Sequence, residues 1–137
     1  MEKKLIDLQE GKYIIRMKAV KSDSSAVSAM DPYIANNCVI TKTNHQTFIT
    51  LQIKVHEVVR VLQLIKEDGA YIDSLDQHID YDSNIRYEIF PVESLQTLIS
   101  ARVQYKVPHG ESFFEGDETL RLYFDETTLQ STDELNL

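Results

Sequence analysis

Cysteine is almost missing from this chain, with Cys38 alone in 137 residues. A lone thiol forms no internal disulfide, and no Cys/His pair stands at the spacing of a zinc site. The four histidines, His45, His56, His78 and His109, are scattered rather than grouped, which argues against a metal ion held by protein side chains alone. No apolar run approaches the roughly 18 residues needed to span a bilayer, so no direct membrane insertion by this segment is expected. The opening residues Met1-Glu2-Lys3-Lys4-Leu5-Ile6-Asp7 lack the apolar stretch of a signal peptide. On that reading the chain is either cytoplasmic or a piece of a longer exported protein. Positive charge is also in deficit, with 14 Lys and Arg against 22 Asp and Glu for a formal net charge of −8. Such a surface does not attract nucleic acid or an anionic membrane, and suits a basic or a neutral partner.

Catalytic signatures are absent as well. The sequence has no G-x-S-x-G, no glycine-rich phosphate loop, no H-E-x-x-H and no ordered Ser/His/Asp set. Its acidic pairs, Glu67 with Asp68 and Glu115 with Asp117, read most simply as solvated turn residues. Binding rather than catalysis is the expectation. With no internal repeat and no low-complexity linker, residues 1–137 read as one domain. Its core is expected at about 8–126, with a polar, frayed tail over 127–137. That length buries a sufficient core without disulfides or metals.

What is present is period-two alternation. Over residues 12–20, Tyr13, Ile15, Met17 and Ala19 alternate with Ile14, Arg16, Lys18 and Val20, a strand entered from Gly11. Residues 38–42 and 47–53 flank Thr43-Asn44-His45-Gln46 as a hairpin, with Ile49, Leu51 and Ile53 on its inner face. A short turn near His56 leads into a strand over 59–65, closed by Asp68-Gly69. Residues 71–81 read as irregular strand, and Ile85, Tyr87 and Ile89 alternate with Arg86, Glu88 and Phe90. Leu95, Leu98 and Ile99 fit one helical turn. Val103, Tyr105 and Val107 share a strand face that ends at Pro108-His109-Gly110, and Leu120, Leu122 and Phe124 share another. Many short strands and no long helical period predict an all-β, antiparallel β-sandwich of immunoglobulin-like type, with a short helical turn near residues 24–30.

The most informative stretch is Ser28-Ala29-Met30-Asp31-Pro32-Tyr33 between two of these strands. It is poor core material and good ligand-contact material. Further landmarks stand in a fixed order: Gly11-Lys12-Tyr13, the serine-rich 21–34 segment with its tyrosine, Ala35-Asn36-Asn37-Cys38, Asn84-Ile85-Arg86-Tyr87-Glu88 and Val107-Pro108. In order and spacing the chain resembles, over about 8–126, the NEAT (near-iron-transporter) family of Gram-positive surface proteins. That family grips haem between a serine-rich turn and the final hairpin.

The resemblance implies haem as ligand, a role in haem-iron acquisition, and an extracellular, cell-wall or surface location for a domain excised from a larger protein. It places Ser28 and Tyr33 where hydroxyls hold a haem propionate and Met30 where a soft side chain covers one face of the macrocycle. Tyr105, Val107, Phe113, Phe114, Glu118 and Leu120 complete the expected groove. The family's iron-binding tyrosine and its supporting tyrosine fall on Phe114 and Glu118. Phe114 has no donor atom, so the usual ligand is missing. A one-residue shift to Phe113 and Asp117 restores nothing. Tyr105 and His109 are then the candidate iron ligands. Two other readings stay open: a non-haem module recognising a host haemoprotein such as haemoglobin, and a structural spacer. Against the former, residues 24–30 carry no aromatic cluster.

Overall fold

The computed structural model describes residues 8–44, 46–55, 57–93 and 95–132. The opening heptapeptide, His45, His56, Ser94 and the end of the acidic tail at 133–137 lie outside the described residues. Among the described residues nine strands form: β1 Gly11–Lys21, β2 Asn37–Lys42, β3 Thr47–Lys54, β4 Val59–Ile65, β5 Tyr71–Ile72, β6 Asp76–Asp80, β7 Ile85–Val92, β8 Leu98–His109 and β9 Ser112–Ser131. All pairings are antiparallel, in the spatial order β5-β4-β8-β9-β1-β2-β3-β7-β6. The described residues thus form an all-β fold, and three of the period-two patterns that suggested strands place their apolar sets inward; β7 differs, burying Arg86, Glu88 and Phe90 while Ile85, Tyr87 and Ile89 stay half-buried. Tyr13, Ile15, Met17 and Ala19 on β1, Ile49, Leu51 and Ile53 on β3, and Leu120, Leu122 and Phe124 on β9 all belong to one core cluster.

The sheet curls onto itself to make two layers. In strand order β4 and β7 are six steps apart, which in a flat sheet is roughly 29 Å at about 4.8 Å per step. Yet the Arg86 Nη2 of β7 donates to the Val59 carbonyl of β4 at 2.7 Å. Burial of a single apolar face drives the curl, because that face can leave water only by facing itself.

Three local expectations are corrected. The helical turn is a 3-10 turn at Asp31–Tyr33 rather than over 24–30. Pro32 pre-sets its backbone there, and the serines upstream form turns and a bridge from Val27 back to Val20. Leu98 and Ile99 open β8 instead of forming a helical turn with Leu95, since pairing with Tyr123 and Leu122 outweighs the weak helical spacing. The chain beyond Asp125 does not fray at once. β9 runs on to Ser131 through an irregularity opposite Ile14 and Arg16, where the Arg16 N–H donates to Thr128 Oγ1 at 2.9 Å.

Candidate ligand groove

The hairpin of β8 and β9 turns on Gly110 and Glu111, with His109 paired to Ser112. Gly110 has φ 62°, a left-handed conformation that glycine adopts without a Cβ penalty. Alternation then fixes which side chains share a face. On the inner face Ala101, Val103, Tyr105, Val107 and His109 of β8 stand opposite Leu120, Glu118, Gly116, Phe114 and Ser112 of β9. Val103 and Leu120 are fully inside the core. Beyond them the same face continues out of the sandwich as a half-exposed platform.

Tyr105 lies across this platform and its Oη donates to Glu118 Oε1 at 3.0 Å. A Cβ at Gly116 would run into the Tyr105 ring at Cζ and Oη, so the ring rests on the bare backbone of β9. Donation to the carboxylate, with a smaller effect of burial, holds the Tyr105 phenol above the ordinary tyrosine range. Nearer the tip, the His109 and Phe114 rings stack with centroids 4.4 Å apart. Phe114 and Glu118 stand four residues apart on a strand whose pairing with β8 is unbroken, a separation of about 14 Å at some 3.4 Å per residue. Glu118 therefore takes Tyr105, not residue 114, as its partner.

Facing the hairpin is the serine-rich turn. The Ser28 N–H bonds the Ala19 carbonyl at 2.9 Å, and the Asp31 carboxylate accepts from the Ala19 N–H at 2.7 Å. Ser28 Oγ accepts from the Met30 N–H at 3.1 Å, which leaves the hydroxyl proton to be donated elsewhere. Arg121 of β9 reaches back to the Lys21 and Ser24 carbonyls at 3.1 and 2.8 Å and clamps the turn in place. Between turn and hairpin runs a groove of ≈ 470 Å³, with Lys21, Ser22 and Asp23 at one corner, Ser28 and Ala29 along one wall, and Glu118, Thr119 and Leu120 on the other. Its size is that of a small-molecule site.

Of the residues singled out from sequence, Ser28, Glu118 and Leu120 line this groove. Tyr105 adjoins it through Glu118, and Val107 and Phe114 extend the hairpin face beyond it. Met30 does not reach it. It is 4% exposed and belongs to the core cluster, against which Tyr33 also packs. Phe113 points to the outer face, where Lys106 Nζ sits 4.4 Å from its ring centre. Lys21, Asp23, Gly116 and Arg121 were missed. Their roles depend on strand register and on where the turn docks, which no local pattern announces.

A larger hollow of ≈ 620 Å³ lies at the opposite end of the sandwich, near Leu64, Ile72, Val92 and Ile99. Its rim carries Lys66, Glu67, Asp68, Glu93 and Gln96, of which Lys66 pairs with Glu93 at 3.5 Å and Gln96 with Glu67 at 3.4 Å. Among the described residues no group of three His, Cys, Asp or Glu is placed to hold a bare metal ion.

A curled antiparallel sandwich with a serine turn facing the last hairpin is an immunoglobulin-like β-sandwich. The sequence model of the Iron Transport-associated (NEAT) domain matches residues 7–126, and the chain belongs to that family. The chain is 27% identical over 120 residues to hemin/hemoglobin-binding protein 2 of Listeria monocytogenes, a match covering 88% of this chain. It spans only about a fifth, 21%, of that relative's length. Among solved structures, the NEAT5 domain of IsdX2, a B. anthracis hemophore in complex with heme, superposes with a TM-score of 0.73 at 23% identity, covering 87% of this chain and 98% of that one. A point mutant of the same IsdX2-NEAT5 domain, also in complex with heme, gives 0.74 at 22% identity, covering 88% and 98%. At that identity these two establish the fold alone.

Oxygen donors stand on both sides of the groove. Phe114 supplies no oxygen, but Tyr105 brings a phenol to the same hairpin face, and Ser28 brings a hydroxyl from the opposite wall.

Proposed function

We propose that this domain binds haem in the groove between the serine turn and the β8/β9 hairpin, as part of haem-iron acquisition at a cell surface or outside the cell. The single observation that carries the reading is the Tyr105 phenol, which donates at 3.0 Å to Glu118, itself a residue of the groove wall. Haem, once bound, would supply a ferric iron that takes an oxygen ligand. On this reading Tyr105 would supply that oxygen, Ser28 would donate to a propionate, and Val107 and Leu120 would meet the apolar macrocycle. The chain acts by holding and passing on a ligand rather than by transforming it. Titrating the purified domain with hemin tests this reading. A saturable, protein-specific Soret band is expected, and a spectrum indistinguishable from free hemin would refute it.

A second reading has its own observation. Phe113 and Phe114 are 53% and 58% exposed at the hairpin tip, and exposed aromatics of this kind anchor protein interfaces. They supply, from the hairpin, the aromatic anchors that the serine turn lacks for a haemoprotein partner such as haemoglobin. A pull-down with haemoglobin, repeated after Phe113→Ala and Phe114→Ala, separates the two readings.

A further inference from the structure

We infer that Gly116 and Glu118 are positioning residues for Tyr105: the bare backbone at 116 gives the phenol ring a place to lie, and the carboxylate at 118 fixes its oxygen at the groove edge. This rests on the haem reading above and goes further by naming what aims the donor.

Three relationships support it. Tyr105 and Gly116 are directly opposed in the β8/β9 ladder, and in an antiparallel pair a side chain opposite glycine is free to fold across the partner strand. A Cβ at 116 would collide with the ring's outer edge, including Oη, and the three atoms nearest to it all belong to Tyr105. The cost of a side chain there therefore falls first on the tyrosine. Finally, Glu118 both lines the groove and bonds Tyr105. The acceptor on Glu118 thus determines on which side of β9 the phenol oxygen comes to rest. A glycine in the middle of a strand weakens that strand, and here the space it leaves is filled by a neighbouring ring.

The test uses hemin as the probe and a small set of variants of the domain. In the parent background Gly116→Val should lower hemin affinity about tenfold or more, the scale of coupling between residues in contact. In a Tyr105→Phe background, which removes the oxygen, the same change should cost less than about twofold. On ligation Tyr105 would give up the proton it donates to Glu118, which that carboxylate can take up and return as a hydrogen bond to the tyrosinate. Glu118→Gln, whose amide can accept from the phenol and donate to the tyrosinate, should retain the tyrosinate charge-transfer band of the bound state, whereas Glu118→Leu should lose it. Free of any ligand, the Gly116 α-proton resonances should be shifted upfield by the Tyr105 ring in the parent and in Glu118→Gln, and return toward random-coil values in Glu118→Leu. Urea midpoints of all variants confirm that each is folded. Parent-like affinity and spectrum in Gly116→Val, or a ring-current shift that survives Glu118→Leu, would overturn the inference while leaving the haem reading intact. Absence of hemin binding by the parent would overturn the haem reading itself, and with it the role assigned to these two residues.

Discussion

Arg86 and Glu88, two residues apart on β7, form an ion pair at 3.2 Å with side chains only 8% and 2% exposed. The carboxylate also accepts from Ser74 at 3.0 Å and from Gln77 at 2.7 Å, while the guanidinium bonds the Val59 carbonyl on the far side of the fold. The pair is thus where the two layers of the curled sheet are tied together. Removing one partner strands a buried charge, so Arg86→Ala should destabilise the domain by about 3–5 kcal/mol. The urea midpoint measures this, and a shift worth less than about 1 kcal/mol would show that water reaches Glu88.

Leu51 is fully buried on β3. Its truncation in Leu51→Ala should cost about 2–5 kcal/mol through lost burial and an unfilled cavity. An unmoved denaturation midpoint would mean that the inner face of β3 is not the one described.

Cys38 is buried on β2, and burial pushes its thiol up to about 12. Because the thiolate is the reactive form, labelling by a thiol reagent at about pH 8 should proceed only through unfolding and track the unfolded population. The sign for stability follows from the raised value. The neutral thiol's contribution is complete while the unfolded thiol is still protonated, and is lost as pH rises from about 9 towards 12. Rapid labelling in native buffer would contradict this burial.

On the outer face of the hairpin Arg102 grips Asp117 with two hydrogen bonds, at 2.9 and 2.5 Å, and this contact holds the Asp117 carboxyl below its usual value. A depressed carboxylate stabilises the fold above its unfolded value and ceases to do so as pH falls through the folded one. The stability difference between the parent and Asp117→Asn should therefore be small, salt-sensitive, present at neutral pH, and progressively lost in the acid range below about pH 4. Urea midpoints measured across that range check it.

For the ligand, Tyr105→Phe should weaken hemin binding roughly tenfold, more than His109→Ala, whose ring packs on Phe114 with centroids 4.4 Å apart. Met30→Ala should act through stability, since Met30 sits in the core. Hemin titrations of the three variants rank them, and equal affinities would exclude coordination through these side chains.

Much of the fold was legible in the chain because a half-buried strand must alternate. Tyr13 to Ala19, Ile49 to Ile53 and Leu120 to Phe124 advertise their inner faces by composition alone. β7 alternates just as clearly, yet it turns Arg86 and Glu88 inward. Polarity by itself misassigns such a strand, because the partners that make these charges tolerable come from Val59, Ser74 and Gln77, distant in sequence. The end of β9 was illegible for a related reason: polar Thr127, Thr128 and Gln130 belong to a strand only because β1 offers them a ladder edge.

The site divides along the same line. Sequence alone determined that Phe114 carries no donor and that Tyr105 shares a face with Val103 and Val107, both of which follow from residue identity and a period of two. Only the tertiary structure decided that Met30 is core, that Phe113 faces outward, and that Tyr105 lies over Gly116 with its oxygen on Glu118. These depend on register between strands and on how a curled sheet closes. Both are set by long-range pairing, which a one-dimensional pattern constrains but does not contain.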